Sequence, residues 1–320
     1  MTTLYDLLSK EEIHGLLQPS DWKGFQAVLT TWVLITFSFA LVGFFPSVLT
    51  VLVALVLIGG RHLALGILMH EACHHSLFRT KKLNDWIGSW LCAYPTWQHL
   101  ARYRVHHLRH HRFAVGPKDP DLDLVSGYPT TRRSLARKIL RDLSGLSGLK
   151  RIYGLLLMDF GKIQYTVSNR LIPLNQKSRT GAEVLRTGFL NLHGVILTNL
   201  LLFLILATLG HAELYLLWIG SYLTTFSLFV RVRSIAEHAC TGIDLDPMKS
   251  TRTTHASPLA RLTVAPHRVN FHLEHHLAMA VPYFHLPVAH QILKERGFLA
   301  SAHYAQNYWD VLKIASSGQL

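Results

Sequence analysis

The central feature of the chain is an apolar stretch that runs directly into histidines, residues 46–75, which read PSVLTVLVALVLIGGRHLALGILMHEACHH. Residues 26–45 are also apolar and contain no Lys, Arg, Asp or Glu. Each stretch provides the roughly 20 residues that a helix needs to cross about 30 Å of hydrocarbon. Pro46 suits the turn between them or the first position of the second helix. The pattern predicts a helical hairpin whose second helix continues beyond the membrane and carries His70.

A second pair of apolar stretches follows later in the chain, at residues 194–209 and 214–232. Gly210, His211, Ala212 and Glu213 separate the two and indicate a turn. We therefore expect an all-α integral membrane protein with four transmembrane helices in two hairpins and a histidine-rich helical cap.

The composition and the placement of charge support this interpretation. Of the 320 residues, 49% are hydrophobic and only 16% are charged, which excludes a disordered protein. The net charge is +13, and twenty of the 32 Lys and Arg residues lie between positions 79 and 186, whereas the hairpin tips hold none. This bias predicts that both termini and the histidines are cytosolic, in a bacterial inner membrane or an equivalent membrane. The chain has no groove-reading motif and no basic face interleaved with aromatics, so nucleic-acid binding is not expected.

The same reasoning divides the chain into segments of one membrane-embedded domain, residues 1–320. We expect an interfacial N-terminal helix at 1–25, in which Ser9 and Glu12 form a capping box. The first hairpin and first histidine cluster occupy 26–75, and a cytosolic segment with the second cluster occupies 76–190. The second hairpin occupies 191–238, and a cytosolic cap with the third cluster occupies 239–320. Residues 132–153 mix basic and apolar side chains in a way that suits a helix on anionic lipid.

Histidine is the outlier of the composition, with 21 residues. Three clusters have spacings of three and four residues, which place imidazoles on one helix face: His70-x3-His74-His75, His106-His107-x2-His110-His111 and His272-x2-His275-His276. Imidazole suits zinc, copper, iron and nickel rather than magnesium or calcium. Eight or nine imidazoles exceed the needs of one tetrahedral zinc but would supply two metals with four or five ligands each. Two neighbouring irons would connect such a site to oxidation chemistry.

Two other functions remain open at this stage. His70-Glu71-x2-His74 matches the zinc-protease signature, in which Glu71 is the general base. That interpretation leaves the other two clusters unexplained, and Glu71 can equally orient a ligand imidazole. A histidine-rich membrane protein that carries metal without catalysis is the third possibility. The three cysteines lie far apart and do not suggest a thiolate site.

The three clusters together resemble the membrane fatty acid desaturase family and its hydroxylase relatives. The resemblance extends from about His62 to Pro287 and includes Gly60-Arg61-His62, Asp119-Pro120-Asp121 and the stretch from Pro266 to His276. It implies two irons held by nine histidines, the ninth following the fourth span: His70, His74, His107, His110, His111, His238, His272, His275 and His276. His75 and His106 are neighbours that could replace His74 and His107. At Ser234 the stearoyl-type enzymes carry Asn, which makes a water-mediated contact there, so this chain departs from the family pattern at that position.

The resemblance also implies the activity and its partners. We expect O2-dependent introduction of a C=C bond into an acyl lipid or acyl-CoA, with no catalytic residue beyond the metal ligands; hydroxylation is the alternative outcome. These residues contain no His-Pro-Gly-Gly haem-binding segment, so a separate ferredoxin-like or cytochrome b5-like protein is expected to donate electrons. Four side chains are candidates to support the ligands, namely Glu71, Asp121, Glu274 and Arg61. Arg61 could instead extend its guanidinium to the lipid headgroups.

Overall fold

The computed structural model describes residues 2–168 and 170–318, which are mostly helical. The first half of the chain begins with two short helices, continues with two long ones, and then forms a series of helices around the second histidine cluster. Its α-helices are α1 (Leu4–Leu7), α2 (Lys10–Leu16), α3 (Asp21–Phe44), α4 (Val48–Cys73), α5 (Lys81–Ile87), α6 (Leu100–Phe113), α7 (Arg132–Leu143) and α8 (Leu146–Asp159). A π-helical turn at Gly88–Ala93 and 3₁₀ turns at Tyr94–Thr96 and Leu122–Leu124 complete this half.

The second half contains the remaining long helices and the third histidine cluster. Its 3₁₀ turns are Ala212–Leu214 and Pro266–Arg268. The α-helices are α9 (Gly181–Thr208), α10 (Tyr215–Leu223), α11 (Thr225–His238), α12 (Pro247–Ser250), α13 (Pro258–Leu262), α14 (His272–Leu277), α15 (Leu286–Glu295) and α16 (Tyr308–Ala315). Two short strands, β1 (Arg252–Thr254) and β2 (His303–Ala305), pair in parallel and place Arg252 opposite His303. This strand pair was not expected from the sequence.

In the described part of the chain, four segments are long and apolar enough to cross a membrane: Asp21–Phe44, Val48–Cys73, Gly181–Thr208 and Ala212–His238. They coincide with the four predicted spans. The last segment is not one helix as expected, because the backbone breaks at Thr224, with φ −105° and ψ −88°. Thr224 and Thr225 both donate their hydroxyls to main-chain carbonyls, those of Gly220 and Leu55, which offers the backbone an alternative to the regular helix.

Helix α4 is the centre of the fold and packs against α3, α6, α10 and α11. It starts at Ser47, whose side chain accepts a hydrogen bond from the Thr50 N–H, and it continues without interruption to Cys73. The prediction that this helix carries His70 past Gly59 and Gly60 is therefore confirmed. Both glycines allow close approach of other backbone: a Cβ on Gly59 would overlap Thr225, and one on Gly60 would overlap the carbonyl oxygen of Leu262.

The N-terminal segment differs from the single interfacial helix that was predicted. It forms α1 and α2, because Leu8 is extended and Ser9 starts a new helix with the predicted capping box to Glu12. The buried faces of both helices pack against α14 and α15 in one apolar cluster, which includes Leu4, Ile13, Leu273 and Leu293. This segment therefore packs against α14, the helix that carries the third histidine cluster, and stabilises its position.

Replacing Gly60 with alanine tests the close approach of α4 to residues 262–263. The added Cβ would force the Leu262 backbone to move, and overpacking of this kind costs about 1–3 kcal/mol. We expect the melting temperature of the detergent-solubilised protein to fall by roughly 3–8 °C. Gly15→Ala is the control, because a Cβ at this exposed position on α2 meets nothing within 4 Å. Equal melting temperatures for the two variants would contradict this packing.

Candidate metal centre

Four parts of the fold bring the nine predicted histidines together. His70 lies in the last turn of α4, and His74 is the residue at which that helix ends. Helix α6 carries three of the histidines on its buried face, and α11 carries one at its C-terminal end. The short helix α14 carries the last three. In chain order, α6, α11 and α14 contribute His107, His110, His111, His238, His272, His275 and His276.

The nine side chains form two groups, in each of which the candidate ligand atoms lie within 4.8 Å of one another. The first group has five histidines and the second has four, and all are buried except His74, which is half-buried. The first group consists of His70, His74, His107, His111 and His275, and the second of His110, His238, His272 and His276. The groups adjoin each other, since the ring centroids of His111 and His276 are 4.3 Å apart.

The ring nitrogens face one another at distances that suit a shared cation. The Nε2 atom of His111 lies 3.0 Å from Nε2 of His107 and 3.0 Å from Nε2 of His275. In the second group, Nε2 of His272 lies 2.8 Å from Nε2 of His238. Imidazole nitrogens bind metals at about 2.0–2.1 Å, so adjacent ligands of one ion stand about 3 Å apart.

Several of these nitrogens have no other partner. Among the described atoms, the buried Nε2 atoms of His70, His74 and His276 make no hydrogen bond. Buried polar atoms are almost always paired, because leaving one unsatisfied costs about 1–3 kcal/mol. A cation in each group would satisfy these nitrogens, and the donor set of imidazoles alone fits a transition metal.

Polar groups lie beside the outward-facing Nδ1 atoms of four of the rings, and two of these groups are hydrogen-bond partners. The Nδ1 atom of His110 lies 2.9 Å from Asp119 Oδ1, and Nδ1 of His238 lies 2.9 Å from the carbonyl oxygen of Ser250. Glu71 Oε1 stands 3.4 Å from Nδ1 of His70, and Glu237 Oε1 stands 3.5 Å from Nδ1 of His272. Such partners fix the tautomer and ring orientation of metal-binding histidines.

Arginines hold the ends of the two helices that deliver His70 and His238. Arg104 donates from α6 to the carbonyls of Cys73 and Ala72 at the end of α4. Arg252 is buried and donates to the carbonyl of Ala239 at 2.9 Å, with longer bonds to neighbouring carbonyls at the end of α11. Cations at a helix C-terminus satisfy free carbonyls and complement the helix dipole. Both helix ends are thereby fixed beside the histidine groups.

The imidazoles outside the membrane-spanning segments are held in their neutral form, which is the form that binds metal. Burial and the neighbouring imidazoles lower the pKa values of His107, His111 and His275 well below the ordinary range. Burial and the charge of Arg104 lower the pKa of His74 to about 3. His110 is the exception: burial opposes its protonation, but the hydrogen bond and charge of Asp119 raise its pKa.

The histidines that competed for these positions lie outside both groups. His75 follows the end of α4 with a left-handed backbone, φ +57°, and His106 bonds to Asp121 through Nε2 at 2.7 Å. His62 bonds to the carbonyl of Trp218, and His267 bonds to Thr31. The structure therefore brings together the nine histidines matched from the family pattern and leaves the alternatives apart.

The four side chains that were predicted to support the ligands make different contacts in the structure. Glu71 lies beside His70, as expected. Asp121 instead bonds to His106 and is 3.8 Å from His110, whose direct partner is Asp119. Glu274 bonds to His290 and Thr253, because it points to the opposite side of α14 from the ligand face.

Arg61 makes no hydrogen bond to a candidate ligand in the described part of the chain. It is buried, and its guanidinium donates to the carbonyls of Leu262 and Arg261. Glu237 was not among the predicted side chains; it accepts a hydrogen bond from Arg233 at 2.6 Å and lies 3.5 Å from Nδ1 of His272. Its position directly before His238 was the available signal. Ser234 donates to the carbonyl of Val230 and so makes a bond within its own helix.

The geometry does not suit a zinc protease. Glu71 Oε2 accepts hydrogen bonds from the Ser76 hydroxyl and the Tyr283 N–H, both at 3.0 Å, so this carboxylate is not free to hold a nucleophilic water. His70 and His74 also belong to a group of five histidines, where a catalytic zinc uses three protein ligands.

The lowered pKa values predict how the stability of the metal-free protein depends on pH. In the unfolded chain these histidines titrate near 6.5, so between that pH and their lower folded values the unfolded state binds more protons. Stability should fall as the pH is lowered below about 6.5, by up to about 1.4 kcal/mol per histidine per pH unit. His110, with its raised pKa, acts in the opposite sense.

The measurement is the melting temperature of chelator-treated protein in detergent between pH 7.5 and 5.5. A control with His107→Gln should show a shallower decline, because one buried titrating group is removed. A melting temperature that does not change over this range would contradict the burial of neutral imidazoles.

Comparisons with known proteins identify the family of the chain. A family model described as fatty acid desaturase matches residues 46–309, which include all three histidine clusters. Dihydrorhizobitoxine desaturase of Bradyrhizobium elkanii is 28% identical over 244 residues, which are 75% of this chain and 66% of that protein. Delta(5) fatty acid desaturase fat-4 of Caenorhabditis elegans is 31% identical over 137 residues, 41% of this chain and 28% of that protein. The chain thus spans less than two thirds of the length of these relatives. On the family match, the chain belongs to the fatty acid desaturase family.

Proposed function

We propose that the protein is an O2-dependent desaturase that introduces a C=C bond into the acyl chain of a lipid or acyl-CoA, using two irons held by the nine histidines. The observation that carries this proposal is the pair of adjoining buried groups of five and four imidazoles. The family membership supports the reaction type, and its relatives are both named desaturases.

Zinc is excluded because the reaction is an oxidation and zinc has no redox chemistry, and iron is preferred among the redox-active metals that imidazole suits because of the family membership. In the balanced reaction a pair of methylene carbons loses two hydrogen atoms. O2 takes these together with two electrons and two protons from outside, and two waters form. When bound, two irons would supply the O2 activation and electron transfer that this requires.

The protein itself positions the ligand rings and the substrate and excludes water from the site. Asp119, Glu71, Glu237 and the Ser250 carbonyl hold the rings in one orientation, so the ligand set does not have to reorganise during turnover. Burial of the histidines keeps bulk water from the reacting carbons. Which methylene pair reacts then depends on how the acyl chain is held beside the two groups.

The membrane arrangement belongs to the same proposal. The four candidate spans form two hairpins, with both termini and the histidine groups on the cytosolic side of a bacterial inner membrane or an equivalent membrane. Support comes from the absence of Lys and Arg at residues 43–47 and 209–214, and from their abundance between positions 79 and 186. An apolar acyl substrate would reach the site from the bilayer.

A cationic cleft beside the metal centre suits an acidic electron donor. The cleft has a volume of about 420 Å³, and the side chains around it include Arg109, Lys118 and Arg170. Its floor contains Asp119, which is hydrogen-bonded to His110, so the cleft is separated from a candidate ligand by one side chain. A ferredoxin-like or cytochrome b5-like protein docking there would come close to the second histidine group.

A matched pair of adjacent residues tests the metal ligands. His74→Asn should reduce iron to about one or fewer per chain and lower desaturation by at least roughly 100-fold, because His74 belongs to the five-histidine group. His75→Asn should retain both the iron content and the desaturation activity, because His75 lies outside the two histidine groups and Asn tolerates its left-handed backbone. Iron is measured by elemental analysis and product by mass spectrometry of the lipids of an expressing host. Equal effects of the two substitutions would contradict the assignment, and an alcohol product would replace desaturation with hydroxylation.

Charge reversal tests the donor surface. Arg109→Glu combined with Lys118→Glu should raise the KM for a [2Fe–2S] ferredoxin or a cytochrome b5 roughly three- to tenfold and weaken the dependence of rate on salt. Iron content should not change. Lys10→Glu combined with Lys294→Glu, at exposed positions on α2 and α15, is the control with the same change in net charge. If the control and the double variant behave alike, the donor docks elsewhere.

A further inference from the structure

The basic and apolar segment at residues 132–153 forms two helices instead of the one expected from the sequence. Helix α7 ends at Leu143 and α8 begins at Leu146, and Gly145 makes the turn between them with a left-handed backbone, φ +83°. We call residues 140–153, which include this turn, the α7–α8 corner. The corner carries none of the nine histidines of the metal centre.

The backbone of the corner lies directly against the fourth candidate span. A Cβ on Gly148 would overlap the backbone of Leu223, and a Cβ on Gly145 would contact the side chains of Leu223 and Thr224 at 3.7–3.9 Å. From Ala212, where this span begins, to Leu223 a helix rises about 17 Å. The hydrocarbon of a bilayer is about 30 Å thick. The corner therefore meets the span about halfway across the membrane.

The polar groups at the turn have partners within the protein, as backbone at this depth requires. Asp142 is fully buried and accepts hydrogen bonds from Arg231 on α11, at 2.8 Å, and from the Ser147 hydroxyl. The N–H groups of Ser144 and Gly145 donate to the carbonyls of Leu140 and Asp142. The turn is thus compatible with surrounding hydrocarbon.

The outer surface of the corner is apolar. Five large side chains are each 43–66% exposed there, namely Leu140, Leu143, Leu146, Leu149 and Tyr153. Contiguous exposed apolar surface is rare on soluble proteins and marks contact with a membrane or a partner. At the depth of Leu223 the medium that covers these side chains is lipid.

A row of exposed arginines follows one face of α7 at a spacing of four residues: Arg133, Arg137 and Arg141. The arginine ion pairs in the described part of the chain involve other residues. Like charges at this spacing repel each other, so the row favours counter-anions. Anionic lipid headgroups supply such anions at the cytosolic surface of a membrane.

We propose that the α7–α8 corner is a wedge inserted into the cytosolic leaflet, and that the arginine row binds the phosphates of anionic lipids. The five apolar side chains then lie in hydrocarbon. This inference rests on the proposed membrane arrangement and not on the desaturase reaction. An acidic protein docked on the arginines would leave the depth of the corner and its apolar surface without explanation.

The wedge is connected to the metal centre through the other end of α8. Asp159, the last residue of this helix, is buried and accepts a hydrogen bond from Arg102 on α6 at 2.7 Å. Helix α6 carries the second histidine cluster. The bilayer would therefore support this cluster through α8.

Spin labels on single cysteines measure the depth of the wedge in the full-length protein, reconstituted into vesicles of phosphatidylethanolamine and phosphatidylglycerol. The background is Cys240→Ser, because Cys73 and Cys92 are buried. A nitroxide on Leu146→Cys should collide with O2, which concentrates in the bilayer, several-fold more than with water-soluble nickel ethylenediaminediacetate. Power-saturation electron paramagnetic resonance measures both collision rates.

Two other exposed apolar positions calibrate this measurement. Phe37 lies within the first span and is 52% exposed, and Ile243 lies beyond the end of the fourth span and is 84% exposed. Phe37→Cys should behave like Leu146→Cys, whereas Ile243→Cys should favour nickel. If nickel reaches residue 146 but not residue 37, the corner lies in water, open to a protein partner, and the proposal is overturned. If nickel reaches both, the membrane arrangement itself is wrong, and the wedge with it.

The arginine row is tested separately with added lipid. Phosphatidylglycerol should raise the melting temperature of the detergent-solubilised protein more than phosphatidylcholine does, because bound lipid stabilises the folded state. Arg133→Gln combined with Arg137→Gln should remove about half of this difference. Lys294→Gln combined with Lys313→Gln removes the same charge at exposed positions and should preserve it. Equal differences in the two double variants would overturn the headgroup contact.

Discussion

The fold must hold nine imidazoles, most of them neutral, together in the buried metal centre. Pairs of Nε2 atoms face one another at 2.8–3.0 Å, and at most one proton can lie between the two nitrogens of each pair, so crowding these buried imidazoles without a cation costs stability. A cation between them converts this cost into binding energy, and bound metal would stabilise the folded state by the same linkage. The helices that carry the histidines, α4, α6, α11 and α14, hold the imidazoles at these short distances.

Each part of the molecule contributes to that arrangement from a different direction. Helix α4 runs from the apolar spans into the first group, and Arg104 on α6 ties its end to the second histidine cluster. Arg252 on β1 holds the end of α11, and the N-terminal helices pack under α14. Because the supports come from distant parts of the chain, the histidine groups are set by tertiary packing rather than by any one helix.

Local periodicity explains what the sequence could predict. The apolar run and capping residues of α4, and histidines at spacings of three and four on α6 and α14, depend only on neighbours in the chain. His238 lies outside the three histidine clusters and could be predicted only from the resemblance to the desaturase family. Long-range partners could not be read in this way: Asp119 rather than Asp121 faces His110, Glu274 turns to His290, and Glu237 faces His272. The break at Thr224 likewise depends on the Leu55 carbonyl of another helix.

Anomalous X-ray scattering at the iron edge, from crystals of the protein purified with its native metal, would locate the metals directly. We expect two iron peaks per chain, one within the five-histidine group and one within the four-histidine group. A single peak, or scattering at the zinc edge alone, would contradict it.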